Sequence, residues 1–494
     1  MQVPGPQAII IAWLLLPFLA AFFSALVPPV SRWVALICFM ATAGMAVVLH
    51  LGTVPDSLLL LGSLGVQLQL DGFAAPFLLL DSLVCSAILL DSWHRPRPGP
   101  VLLLLMVAHG AVASTVLVAD LISLYVSLEL AGISAFLLIL MPRTGRSLWV
   151  ALRYLLIGNT VMTLYLIGVA VLYQQQGSFR LDAVTTAGSG GVVALLMAGL
   201  LTKSGLFLSG SWLPLTQSEA PEEVSALLSG VLEAAAVAPV LRLGAAIPAL
   251  GGPLTWIGLA SALFGIVFAL WDHNAKRLLA WSTVSQMGLV VLVPLLGGVY
   301  VLAHGLAKAA LFLVARRLPG HDLAGWSGRG LPAPSWFPLM VASLSIVGIP
   351  PLLGSAAKNA IDKALPHPMA IALSLITVGT VAVYARLWQA PLLREGGHAE
   401  AMPSGQEALP WSPGVLLLLA ALALLGIASL TLDLSLAVAL LKSGVIMVAG
   451  LALHRLLELL RHSGRISLPR VESFPDLLGG VVVLAAGLLL VIRP

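Results

Sequence analysis

Charge is scarce in this chain: Asp, Glu, Lys and Arg make up 9% of its 494 residues, against 59% hydrophobic. A water-soluble fold of this length needs far more polar surface than that, so a soluble globular protein is excluded. Cysteine is nearly absent. Cys38 and Cys85 both lie inside apolar runs, which argues against a disulfide framework, a cysteine-ligated metal or an iron–sulfur cluster. Long polar stretches are missing as well. The two longest, 318–334 and 394–413, are rich in Gly, Pro and charge and read as loops. Residues 1–494 therefore read as a single membrane domain. The formal net charge of +4 is scattered, with no aromatic-laced basic cluster, and implies no nucleic-acid partner. No nucleotide-binding glycine loop, metal-ligand spacing or nucleophile elbow appears, so no cofactor, no metal and no catalytic residue of its own are expected.

What is present is a succession of apolar runs of about 20 residues, each long enough to cross a hydrocarbon core of ~30 Å. Backbone polar groups in lipid must be satisfied within the segment, and period-two alternation is lacking, so the runs are helices rather than barrel strands. The candidate spans are 7–27, 30–51, 71–92, 100–119, 121–141, 148–173, 190–214, 223–243, 253–271, 277–297, 299–317, 335–360, 366–390, 412–430, 434–460 and 474–492. The fold class is an all-α polytopic membrane protein. The first span lacks the basic flank and cleavage site of a signal peptide and is kept as a helix.

Only Asp120 separates the fourth and fifth spans. Splitting there gathers Arg32, Arg95, Arg97, Arg143, Arg146, Lys276, Arg277, Arg316, Arg317, Arg329, Arg386, Arg394, Arg461, Arg465 and Arg470 on one side. Arg180, Arg242, Lys363 and Arg493 remain opposite. Because Lys and Arg favour cytoplasmic loops, this arrangement predicts both termini on the non-cytoplasmic side.

An ionisable group at mid-bilayer costs several kcal/mol, so it implies a partner, a cavity or a pathway. Glu129 stands alone among apolar residues; it reads either as a static, protonated hydrogen-bonding group or as the partner of a lysine. Lys203, beside Ser204 and Gly205, is too deep to snorkel fully and supplies that lysine. A carboxylate raises a buried lysine's proton affinity and separation lowers it, so a pair of variable separation is a proton switch. Lys358 follows Pro350, Pro351 and Gly354, which interrupt a span. It reads either as an interfacial lysine or as a second copy of the same device, five helices further on, as an inverted repeat would give. His304 and Lys308 share a helix face at i, i+4 and suit either packing or proton relay. His109, Asp81 and Lys442 also fall within spans, with no evident partner.

These residues sit in motifs that resemble a known family. The motifs are Ser123-Leu-Tyr-Val-Ser-Leu-Glu129-Leu, Trp212-Leu-Pro214, Ala220-Pro221 through Gly230-Val-Leu, Lys276-Arg277 through Gln286-Met-Gly288, His304-Gly-Leu-Ala-Lys308, and Gly348-Ile-Pro350-Pro-Leu-Leu-Gly354. Over about Asp71 to Lys358 the chain resembles the antiporter-like subunits shared by complex I-type NADH:quinone oxidoreductases and Mrp-type Na⁺/H⁺ antiporters. The resemblance implies about fourteen core helices with broken helices and two inverted five-helix repeats, here 100–243 and 253–390, followed by C-terminal helices over 412–494. It implies a proton relay through Glu129, Lys203, His304, Lys308 and Lys358. It also implies partner membrane subunits of a complex I-type or Mrp-type assembly, H⁺ with or without Na⁺ as cargo, and a bacterial plasma membrane or a thylakoid or other organellar inner membrane. One position departs. Where the family carries a bridging lysine on the eighth helix, this chain has Ala234, with Glu233 adjacent. Glu233 is then either the replacement group or turned away, since one residue rotates a helical side chain by about 100°. The second alternative would leave a non-conducting scaffold.

Overall fold

The computed structural model describes residues 5–60, 66–95, 99–187, 189–326, 330–392, 411–430, 436–462, 471 and 473–492. Arg97, Arg329, Arg394, Arg465, Arg470 and Arg493, and most of the 394–413 stretch, lie outside them.

The chain begins with α1 (Pro6–Leu26) and α2 (Ser31–His50), then an antiparallel hairpin, β1 (Ser57–Leu59) and β2 (Gln67–Gln69), in which Leu58 faces Leu68. There follow α3 (Ala75–Asp91), α4 (Gly99–Leu117), α5 (Leu121–Ile139), α6 (Gly145–Gln176) and the short α7 (Leu181–Ala187). Next come α8 (Gly190–Lys203), α9 (Trp212–Glu219) and α10 (Glu222–Leu227), which runs through a π-helical turn, Leu228–Leu232, into α11 (Glu233–Ala246). The second half comprises α12 (Gly251–Trp271), α13 (Ala275–Val290), α14 (Pro294–Ala315), α15 (Ala333–Val347), α16 (Leu353–Ala364) and α17 (His367–Ala385). Last are α18 (Pro413–Leu430), α19 (Leu436–His462) and α20 (Phe474–Val491). Helix occurs in each span expected from the sequence, with breaks inside 190–214, 277–297 and 335–360, and among the described residues eleven helical stretches are long and apolar enough to cross a bilayer.

The split at Asp120 has a local cause. Asp120 is the N-cap of α5, its carboxylate accepting from the Ser123 amide at 2.7 Å, while Ala119 donates its amide to the Gln67 carbonyl. Two interruptions were also expected. Helix α8 stops at Lys203, Gly205 takes a left-handed φ of 72°, and a 3₁₀ turn at Ser209–Ser211 leads into α9. Helix α15 stops at Gly348, with φ 96°, before Pro350 and Pro351, and α16 resumes at Leu353. The hairpin and α7 were not foreseen, being too short to show a periodic pattern.

Helix α14 occupies the centre, packed against α3, α10, α11, α13, α15, α16 and α18. Helices α12 and α13 meet backbone to backbone: a Cβ at Gly265 would stand 2.4 Å from the Ser285 nitrogen, and one at Gly288 would stand 2.3 Å from the Gly258 oxygen. Small residues are what permit such approach between membrane helices. The outer faces of α1 and α2 carry exposed Leu19, Phe22, Trp33 and Ile37, as a lipid-facing surface requires.

Basic residues pair with acidic ones at both ends of α4. Arg95, just before α4, joins Arg316 and Arg317 around Asp91 and Glu223. At the opposite end of α4, Arg242 donates to the Val116 carbonyl and forms a forked pair with Asp71 at 2.7 and 2.9 Å.

Candidate proton-relay site

Lys203 is the last residue of α8, and its Nζ donates to Glu129 Oε1 of α5 at 3.0 Å. The side chains retain 11% and 15% exposure respectively. Room for the amine comes from two glycines: a Cβ at Gly132 or Gly158 would stand 3.1 or 3.2 Å from Nζ. Polar side chains occupy the broken stretch beyond it. Thr202 Oγ1 donates to Ser209 Oγ at 2.8 Å, and Trp212 Nε1 donates to the Thr202 carbonyl at 2.9 Å. Such groups satisfy backbone that an interrupted helix would otherwise leave bare in lipid.

The amine opens on a cavity of ≈ 30 Å³ that is also lined by Tyr154, Thr202, Trp212 and Glu233. A water needs roughly 10–15 Å³ on this measure, so the space admits about two. Glu233 is 2% exposed; Gln217 Nε2 donates to its Oε1 at 2.5 Å, while its Oε2 is buried without a hydrogen-bond partner among the described residues. The π-helical turn just before Glu233 explains its direction. One extra residue in a helical turn displaces the following side chains by about 100° relative to an uninterrupted α-helix. The residue adjoining the bridging position thereby lines the Lys203 cavity.

Lys308 is fully buried on α14. Its Nζ donates to the Leu279 carbonyl at 2.6 Å and to Ser282 Oγ, and lies 5.7 Å from the Tyr384 ring centroid. Helix α14, which carries Lys308, packs against α11, which begins at Glu233. His304, one turn earlier, is buried, with neither ring nitrogen hydrogen-bonded among the described residues. Helix α14 also packs against α16, which carries Lys358. Lys358, buried on α16, donates to the Val347 carbonyl at 3.3 Å, across the second helix break. The six residues singled out from the sequence thus divide into the Lys203–Glu129 pair with Glu233 on its cavity, and His304 and Lys308 on α14 with Lys358 on α16.

Three residues that had no evident partner are paired. His109 Nδ1 lies 2.7 Å from Asp81 Oδ2, inside a fully buried chain that continues to Thr42 and Trp13 on one side and Cys85 on the other. The donor atoms of Asp81, Cys85 and His109 lie within 4.8 Å of one another, and both cysteines are free thiols. Lys442 of α19 pairs with Asp362 of α16 at 2.7 Å. Sequence spacing missed these contacts because each joins helices far apart in the chain. The i, i+4 relation of Lys358 to Asp362 was the one available hint.

The chain is similar to known membrane proteins. NADH-quinone oxidoreductase subunit N of Desulforudis audaxviator is 29% identical over 60% of this chain and 65% of its own length. The A/B subunit of the probable K⁺/H⁺ antiporter of Rhizobium meliloti is 30% identical over 74% of this chain and 41% of its own. The chain therefore spans less than two thirds of either relative. Among solved structures, the Mrp complex from Dietzia sp. contains a chain that superposes with a TM-score of 0.77 at 21% identity, covering 96% of this chain and 59% of that one. Residues 118–383, more than half of the sequence, match the NADH:quinone oxidoreductase/Mrp antiporter transmembrane model, and the chain is a multi-pass membrane protein belonging to that family.

Proposed function

We propose that this chain is the proton-conducting, antiporter-like subunit of a multi-subunit membrane complex, passing H⁺ along Glu129, Lys203, Glu233, Lys308, His304 and Lys358. The carrying observation is the Lys203–Glu129 contact, which opens on the same cavity as Glu233. Near Glu129 the Lys203 amine holds its proton; drawn away in a dry helix bundle, it gives the proton up. Glu233 takes the place of the missing bridging lysine, which is why the scaffold alternative is not favoured. The names of the relatives support other membrane subunits as partners and either a cation exchanged for H⁺ or a redox reaction elsewhere in the assembly as the driving process. The breaks after α8 and α15 support 100–243 and 253–390 as inverted repeats, and the distribution of Lys and Arg supports both termini on the non-cytoplasmic side.

The test is proton flux across vesicles holding the assembled complex. Glu129→Gln keeps shape and removes the charge that faces Lys203, and a fall in flux of about tenfold or more is expected. Unchanged flux in that variant overturns the reading. The subunits that co-purify distinguish exchange from redox drive.

A further inference from the structure

Three C-terminal helices, α18, α19 and α20, lie beyond the stretch that matches the family model; α20 reaches the first helix break, and α18 and α19 reach the second. Helix α20 packs on α8 and its 3₁₀ continuation, where a Cβ at Gly480 would stand 3.2 Å from the Leu208 backbone. Helix α19 packs along α17 and reaches the second break: Ser443 Oγ donates to the carbonyl of Gly348 at 3.2 Å. Beside Ser443, Lys442 extends to Asp362.

The surroundings of Lys358 differ from those of Lys203. Lys203 holds its carboxylate directly, whereas Lys358 rests on a backbone carbonyl. The carboxylate nearest in sequence, Asp362, is one helical turn further along α16 and is held by Lys442 through Oδ2. Its Oδ1 is buried without a hydrogen-bond partner among the described residues. Lys358, Asp362, Lys442, Asn359 and Ser443 line one cavity of ≈ 30 Å³. The Lys358 stem passes Gly348 so closely that a Cβ there would stand 3.0 Å from Cδ. Residues at i and i+4 on a helix are ~5–6 Å apart at Cβ, so Asp362 and Lys358 share one face of α16 and line the same cavity as Lys442.

We propose that Asp362 is a counter-ion shared between Lys358 and Lys442, so that α19, a helix outside the family core, gates proton release from the terminal lysine. When Asp362 turns to Lys358 the proton is kept; when Lys442 draws it back, Lys358 gives the proton to the cavity. On the orientation expected above, the pair lies toward the non-cytoplasmic side, so this is the outlet of the path. The elements facing α16 bring few other charges. Helix α14 contributes His304 and Lys308, α15 and α18 contribute none, α17 has His367 and Tyr384 at opposite ends, and α16 itself adds Lys363.

The inference rests on the proton-conducting reading, and the experiment separates the two. Proton flux is followed across vesicles holding the assembled complex between pH 6 and 9. Lys442→Met leaves Asp362 to Lys358, so flux falls severalfold at neutral pH and its pH profile moves to the alkaline side by about one unit. Asp362→Asn removes the counter-ion and moves the profile to the acid side. Lys442→Arg restores rate and profile together. A slower Lys442→Met complex with an unmoved profile marks a purely structural ion pair and overturns the proposal, as do two silent variants when Glu129→Gln slows flux. Silence of Glu129→Gln itself sinks the proton-conducting reading instead.

Discussion

Replacing Glu233 with alanine is expected to lower proton flux about 100-fold, the range in which a positioned proton-transfer group contributes, with the complex still assembled. Glu233 lines the cavity that receives the Lys203 amine and begins α11, which packs against the helix that carries Lys308. Without it, no carboxylate of α11 lines that cavity. Glu233→Gln should be nearly as damaging, because an amide keeps the Gln217 contact but does not carry a proton at neutral pH. The informative variant is the double substitution Glu233→Thr with Ala234→Lys, which restores the family's own pair of residues. Partial recovery of flux in that variant identifies proton transfer, rather than local packing, as what alanine removed. A Glu233→Ala complex that conducts normally would show that the path bypasses α11.

The second large effect is on stability. Asp91→Ala is expected to destabilise the folded chain by about 3–5 kcal/mol, the cost of breaking a buried ion pair and leaving its cations uncompensated. Asp91 terminates α3 with a fully buried carboxylate. It accepts from Arg316, accepts from Ser412 Oγ at 2.5 Å, and has Arg95 and Arg317 at 3.5 and 3.6 Å. One carboxylate therefore ties the ends of α3, α14 and α18 together. Heat-driven unfolding of the purified complex in detergent reads the loss directly. Asp91→Asn should recover part of it through the Ser412 contact, and an unshifted unfolding midpoint in Asp91→Ala would contradict this account.

The helices were legible because lipid leaves the backbone few choices: runs of apolar residues, the two Gly/Pro interruptions and the Asp120 boundary all follow from local sequence. Glu129 and Lys203 could be paired in advance because a lone charge in an apolar helix demands an opposite one. The direction of Glu233 was not legible. It depends on the π-helical turn over Leu228–Leu232, and that stretch contains no residue that announces one. The Asp81–His109 and Asp362–Lys442 pairs were hidden for another reason, since each needs knowledge of which helices are neighbours. The charge segregation around Asp91 and Asp71 followed the distribution of arginines, although the acidic partners came from the fold alone.

Lys203 is the final residue of α8, so the place where winding ceases also sets where the ammonium stands. Adding or removing a single residue of coil there swings the side chain by about 100° and slides it about 1.5 Å along the axis. That is ample to sever a 3.0 Å contact. Charging and discharging this amine can thus be driven by a change at a helix tip, with the surrounding bundle acting as a stationary housing.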